Sequence, residues 1–503
     1  MGVTVYPPNY ATLGSFECPP VFAQRPSWVE SRINWVDMAL ICIFLLGLYT
    51  NYTIYLSPKV PFPSAPSGIA GVLLLWRRRA DIKPAALVGL VTVLFIYLAA
   101  ILCAPNWAFL PRRLNGLIQL SYSLVIGYAL FMTVTKASRR QMSGLFLGAA
   151  VLILIGCLLE TYGGFRPVSD AVRSFLYKRG LYENDLRDLL LYRQVRPKFF
   201  ASEPASVTFC FSLFTFIWFV LSRWRWKLAL YIVLIAVGVL AMPGPTLLLM
   251  LLLVLPYMLF LASRQAGRLR VAKMLKVAVI AVFFLTAFAI LAQTLYPKRF
   301  EEVTSGNDPS FFYRVRGPAM AGLDTMLNFP LAGAGLTGEP FIEKRVINVY
   351  ARSPAYSVGW EIVSPATELV INYFWLHWVY LGLVFGILAA AAVTVWLIKL
   401  GVSSAAFCWM VWAILGQASG AYVGPTCWAV LFLSAAATVL YLRPDVPNYA
   451  AARARSWTAP DLLRRQVHLL RLSRLAAVAD TNEPPAAQSG TPFADCDRGS
   501  VIA

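Results

Sequence analysis

The stretch TLLLMLLLVLPYMLFLASRQAGRLRVAKMLK, residues 246–276, sets an apolar run directly beside a dense basic one. From Thr246 to Leu261 there is no charged side chain, and Arg264, Arg268, Arg270, Lys273 and Lys276 follow. An apolar segment of roughly 17 to 25 residues crosses a bilayer as a helix, and short basic loops stay on the cytoplasmic side. The same alternation recurs along the chain. Arg77, Arg78, Arg79 and Lys83 follow one apolar run, Lys136, Arg139 and Arg140 another, and Arg223, Arg225 and Lys227 a third. With these clusters inside, every second connection is external, so the two long connections, 162–203 and 296–367, both fall outside.

Composition supports this reading. A chain of 503 residues with 59% hydrophobic side chains, 14% charged ones and a mean hydropathy of +0.64 is not a soluble protein around a single core. The net charge of +20 would point to nucleic acid in a soluble chain. Here it is spread over short inner loops and a tail, where topology and anionic headgroups account for it, so membrane lipids are expected partners and nucleic acid is not. Twelve candidate spans lie near 36–56, 63–76, 85–104, 114–134, 143–161, 205–222, 228–242, 246–262, 277–296, 368–397, 403–420 and 425–442. The second and seventh are short. The expected architecture is an all-α bundle of about twelve spans with both ends cytoplasmic. Residues 1–35 carry no signal-peptide pattern and read as a cytoplasmic segment, the first span serving as its own insertion signal. Neither long loop contains a cysteine, so no disulfide framework is expected there. The tail, 443–503, is basic. Residues 459–477 have the composition of a helix lying on the inner leaflet, and the segment beyond Asp480 has that of a disordered chain.

The first external loop carries Arg166, Arg173, Lys178, Arg179, Arg187, Arg193, Arg196 and Lys198 against Asp170, Glu183, Asp185, Asp188 and Glu203. Ser169 and Asp170 offer a helix start, and a second short helix is expected over 183–194. Phe175, Tyr177, Leu186, Leu189 and Leu190 would face apolar material and Arg173, Lys178, Arg179 and Arg187 would face out. A basic excess on the external side suits a polyanion, because the planar arginine fork pairs with phosphate through two parallel hydrogen bonds. Surface ion pairs and headgroup contacts are the structural alternative.

The second loop contains RFEEVTSGNDPSFFYRVRGPAMAGLDTMLNFPLAGAGLTG, residues 299–338, in which a polar loop leads to YRVR, a helix-like run and a glycine-rich turn. Gly333 and Gly335 there read as shaping a tight turn. The order of arginine, short helix and N-x-P-L-x-G-x-G-L resembles the main external loop of the bacterial O-antigen ligase and polysaccharide polymerase superfamily of membrane glycosyltransferases. Further matches are RPKFFASEPAS at 196–206, the PGPT bend at 243–246 and SPATELVINYFWLHWVYLGLVFGIL at 364–388. The resemblance covers roughly residues 140–440. It implies a GT-C-like fold, a bacterial inner-membrane location and an oligosaccharide substrate carried on undecaprenyl diphosphate. No cofactor is needed, and other polysaccharide assembly proteins are possible partners.

Two departures bear on the branch. Ser364, Pro365 and Ala366 stand where the ligases carry a histidine, and Pro243, Gly244 and Pro245 where they commonly carry an arginine. The expected activity is therefore polymerisation of lipid-linked repeat units, with glycan ligation to another acceptor as the alternative. Arg314 and Arg316, then Arg196 and Arg193, are the candidate cations for the diphosphate. Their structural alternative is pairing with Glu301, Glu302 or Asp308. Glu203 and Glu368 are the candidate bases, each opening a helix where a carboxylate also suits the dipole. No metal-ligand cluster, paired-aspartate motif or Walker loop is present in the external loops, so a metal-independent reaction is expected. On one continuous helix Glu368 and His377 would stand on opposite faces, which favours a buried structural role for the histidine. A secondary transporter is the rival class, weakened by unmatched halves and by the scarcity of acids within spans.

Overall fold

The computed structural model describes residues 33–57, 60–177, 182, 185–192, 194–262, 311–352 and 366–443, with isolated positions between 279 and 305. The N-terminal segment, the tail, Arg193, the 264–276 basic cluster and most of the span expected at 277–296 lie outside them. So do Glu302, Asp308, Ser364 and Pro365.

Helices numbered in chain order are α1 (Trp35–Thr50), α2 (Ala65–Arg77), α3 (Pro84–Cys103), α4 (Leu110–Val134), α5 (Arg139–Tyr162), α6 (Arg166–Leu176), α7 (Asp185–Tyr192) and α8 (Pro204–Leu221). They continue as α9 (Lys227–Ala241), α10 (Pro245–Pro256), α11 (Gly317–Asn328), α12 (Glu343–Tyr350), α13 (Ala366–Leu369), α14 (Tyr373–Lys399), α15 (Ala405–Gly416) and α16 (Pro425–Leu442). Proline opens α3, α8, α10 and α16, where the missing N–H is no loss because the first turn has no partner for it. α10 runs through Pro256 into a π-helical turn, Tyr257–Ala262, which absorbs the hydrogen bond that proline removes.

Among the described residues six helices are long and apolar enough to cross a membrane: α3, α4 with the turn before it, α5, α8, α14 and α16. α1, α9, α10 and α15 are shorter apolar helices. Buried fractions order the bundle. α8 and α16 are each 89% buried over their apolar windows, whereas α3 is 28% buried and presents Leu87, Val88, Val91 and Phe95 outward. Apolar side chains turned outward on helices of this length are at home in lipid, where backbone groups must be satisfied within the helix. α8 packs on α5 and α10, α16 on α4 and α15, and α14 on α3 and α11.

Helix ends assort as the charge alternation requires. Asp37, buried at the start of α1, accepts from Arg77 at 2.8 Å and Arg78 at 2.5 Å at the end of α2. Lys136 pairs with Asp81, and Arg139 donates to the Leu221 and Tyr441 carbonyls at the ends of α8 and α16. Lys227 donates to Tyr257 at 2.8 Å. The described basic clusters thus share one end of the bundle. At the other end Tyr49 donates to the Phe199 carbonyl, and Tyr177 to that of Thr50.

Three local expectations need correction. A small antiparallel hairpin, Ile54–Ser57 with Val60–Phe62, pairs Ile54 with Phe62 between α1 and α2. The span expected from 368 instead starts at Tyr373, because Asn372 caps α14 by accepting from the Trp375 N–H at 3.2 Å. Glu368 therefore sits on the separate turn α13, and the two-faces argument for Glu368 and His377 on one helix does not hold. Finally, Arg173, expected to face out, turns inward and is 3% exposed.

Candidate functional site

The first loop is built around its own backbone. Phe199 and Phe200 both take positive φ, 32° and 65°, and expose backbone groups that neighbours must satisfy. Glu160 at the end of α5 accepts from the N–H groups of Lys198 at 2.9 Å and Phe199 at 2.5 Å. Arg173 donates to the carbonyls of Ala201 at 2.7 Å and Ser202 at 3.0 Å, which is why it faces inward. Arg196 donates to Asp188 at 2.9 Å and to the Tyr182 hydroxyl at 2.9 Å, and Lys198 lies 3.0 Å from Asp185. Much of the described basic excess of this loop is thus engaged inside it. Glu203, exposed before α8, is 3.5 Å from the Ser206 hydroxyl.

The second loop does something the sequence did not announce. α14 is broken at Gly382, whose φ is +65°, and the glycine-rich turn lies against the break. The N–H groups that open the second half of α14 find partners in that turn: Leu383 and Val384 donate to the Pro330 carbonyl at 2.8 and 3.0 Å, and Phe385 to Leu331 at 3.2 Å. In return the Ala334 N–H donates to the Val379 carbonyl at 2.8 Å. Each group left unpaired in a bilayer would cost several kcal/mol. The approach requires glycine on both sides: a Cβ on Gly333 would stand 2.3 Å from the Val379 oxygen, and one on Gly382 2.7 Å from the Gly333 nitrogen.

Arg113, 1% exposed, fastens the turn from below, donating to the carbonyls of Ala334 at 2.7 Å, Pro105 at 2.6 Å and Asn106 at 3.1 Å. Its neighbour Arg112 is half exposed and donates through Nε to the Thr337 carbonyl at 2.8 Å. Beside it Glu339 is buried at the end of the turn, its Oε1 accepting from the Tyr380 hydroxyl of α14. Oε2 lies 3.8 Å from Arg112 Nη2 and has no hydrogen-bond partner. Burial raises the Glu339 pKa above the ordinary 4.5, while the Tyr380 hydrogen bond and the Arg112 charge oppose the rise.

Arg314 and Arg316 lie on a π-helical turn, Phe312–Arg316, that leads into α11. Arg316 is exposed, and Arg314 is half-buried with Nη1 3.5 Å from the Ala418 carbonyl. Asn372 donates to the Arg314 carbonyl at 2.8 Å and to Gln417 at 2.8 Å. Tyr350 donates to the Leu369 carbonyl at 2.6 Å and lies 3.4 Å from that of Tyr313, tying the arginine turn to α13. The structure therefore brings Arg314, Arg316 and the exposed Glu368 into one neighbourhood, whereas Arg196 and Glu203 belong to the first loop. Buried His377 has Nε2 3.0 Å from the Gly386 carbonyl beyond the helix break, so Nε2 carries the proton and Nδ1 accepts from Tyr422 at 2.8 Å. Both nitrogens are used.

Sequence reasoning missed Glu339, Arg112 and Tyr380. Glu339 follows the glycine turn directly, and a carboxylate set next to such a turn is the one signal that pointed to it. Among the described residues no group of three or more His, Cys, Asp or Glu side chains is arranged to hold a metal ion. No family model and no curated protein matches this chain.

Proposed function

We propose that this chain is a membrane glycosyltransferase that joins oligosaccharide repeat units carried on undecaprenyl diphosphate into longer chains. The observation that carries the reading is the seat of the glycine-rich turn. The segment whose sequence resembles the polymerase and ligase loop is the one lodged in the break of α14, with Glu339 at its end, Arg112 of α4 against it and the Arg314 and Arg316 turn leading into it through α11. Fixed cations stabilise the charge that grows on a departing diphosphate. Fork-shaped donors suit it better than ammonium groups, and Arg314, Arg316 and Arg112 supply such forks. Arg196, committed to Asp188, contributes less. The test is the lipid-linked glycan profile of a deletion strain. Single repeat units should accumulate and long chains vanish, both reversed by the intact gene; an unchanged profile contradicts the reading.

One observation favours a transporter, since broken helices build transporter ion sites from freed carbonyls. At the break of α14, however, the Val379 and Gly386 carbonyls are already taken by Ala334 and His377.

A further inference from the structure

We propose that Glu339 is the base of the transfer, its Oε2 accepting the proton of the acceptor sugar hydroxyl. This inference rests on the reading just given and names a residue for it. The two carboxylates that the sequence offered as bases, Glu203 and Glu368, are both exposed. Glu203 contacts Ser206, and Glu368 projects from a four-residue turn. Glu339 is different in three respects. It is 6% exposed, its Oε1 is oriented by Tyr380, and its Oε2 is left without a hydrogen-bond partner.

A buried carboxylate oxygen with no donor is an unmet requirement that a substrate hydroxyl, an ion or a water can meet. The group that faces it, Arg112, is a half-exposed side chain at 3.8 Å, too far for a hydrogen bond and held chiefly by the Thr337 carbonyl. An acceptor hydroxyl entering between them meets both needs. The O–H proton passes to Oε2 while the oxygen's electron pair forms the new bond to the anomeric carbon of the donor. The bond from that carbon to the diphosphate breaks, and its electrons leave with the diphosphate, whose added charge faces Arg112. Protonated Glu339 then returns its proton to water as the product departs. Burial assists by raising the proton affinity of the carboxylate toward the range in which a base works best near neutral pH. The titratable and charged groups that face it are Tyr380 from α14 and Arg112 from α4.

The experiment uses the full-length protein in vesicles supplied with a lipid-linked repeat unit. Glu339→Gln keeps an oxygen for Tyr380 and removes the proton acceptor, so turnover should fall by about a hundredfold or more while binding of the labelled substrate is retained. Glu339→Asp should remain active and move the acid limb of the kcat–pH profile. A Glu339→Gln rate within threefold of wild type, a loss of turnover matched by loss of binding, or an unmoved acid limb in Glu339→Asp overturns the assignment while leaving the function intact. Wild-type protein that makes no longer chains overturns both.

Discussion

Burial governs the stability contribution of Glu339. Its folded pKa is raised above 4.5, mainly by desolvation, so between the unfolded and folded values the native state holds more protons than the unfolded one. Stability is then lost as pH rises through that interval. Glu339→Gln removes the term, and the melting-temperature difference, variant minus wild type, should be more positive at pH 8 than at pH 5; an unchanged difference would show that the carboxylate titrates as if exposed. Arg314 and Arg316 make a different point. Both carry fixed charge, so Arg314→Lys and Arg316→Lys should preserve expression but lower polymer-forming rate by about tenfold or more, because the bidentate fork is lost. Arg316, which is exposed, is the cleaner test, and full-length polymer from both variants would remove them from the site.

The break in α14 is where local geometry and packing meet. Gly382→Ala forces a side chain into the left-handed region, at about 1–2 kcal/mol, and drives its Cβ to 2.7 Å from the Phe329 oxygen. Loss of the folded detergent-soluble form, or a large drop in melting temperature, is expected. Gly144→Ala in α5 is the matched control, since its Cβ meets nothing within 4 Å; it should stabilise by about 0.5–1 kcal/mol. Equal effects at the two positions would deny the docking of the turn. The helices themselves were legible in the sequence: runs expected at 85–104, 205–222 and 425–442 are α3, α8 and α16 to within a residue or so at each end. Apolar length and an opening proline determine those. The break was not legible, because a glycine inside LGLVFG looks the same whether a helix continues through it or a distant loop replaces its hydrogen bonds. Glu339 was hidden for a related reason. Its significance is burial, and burial comes from contacts with Tyr380 and Arg112 that lie far away in sequence. The basic excess of the first loop misled in the opposite direction, since backbone carbonyls at Ala201 and Ser202 and the carboxylates of Asp185 and Asp188 take up much of it.

Six apolar helices suited to a membrane, with the described basic clusters at one end and both long loops rooted at the other, make the chain a multi-pass membrane protein. Its orientation is open to direct labelling. In a cysteine-free background, a cysteine replacing exposed Ser174 in α6 should react with an impermeant thiol reagent added to intact cells, and one replacing exposed Arg140 should react only after the membrane is opened. The reverse pattern would place the candidate site on the cytoplasmic side and contradict the orientation read from the charge alternation. The most direct test of the central claim is reconstitution. Purified protein in vesicles, given only undecaprenyl diphosphate-linked repeat units and no lipid A, should convert them into a ladder of chains rising one repeat at a time. Recovery of unchanged single repeats, from protein shown to be folded, would contradict the proposal that this chain is a polymerase.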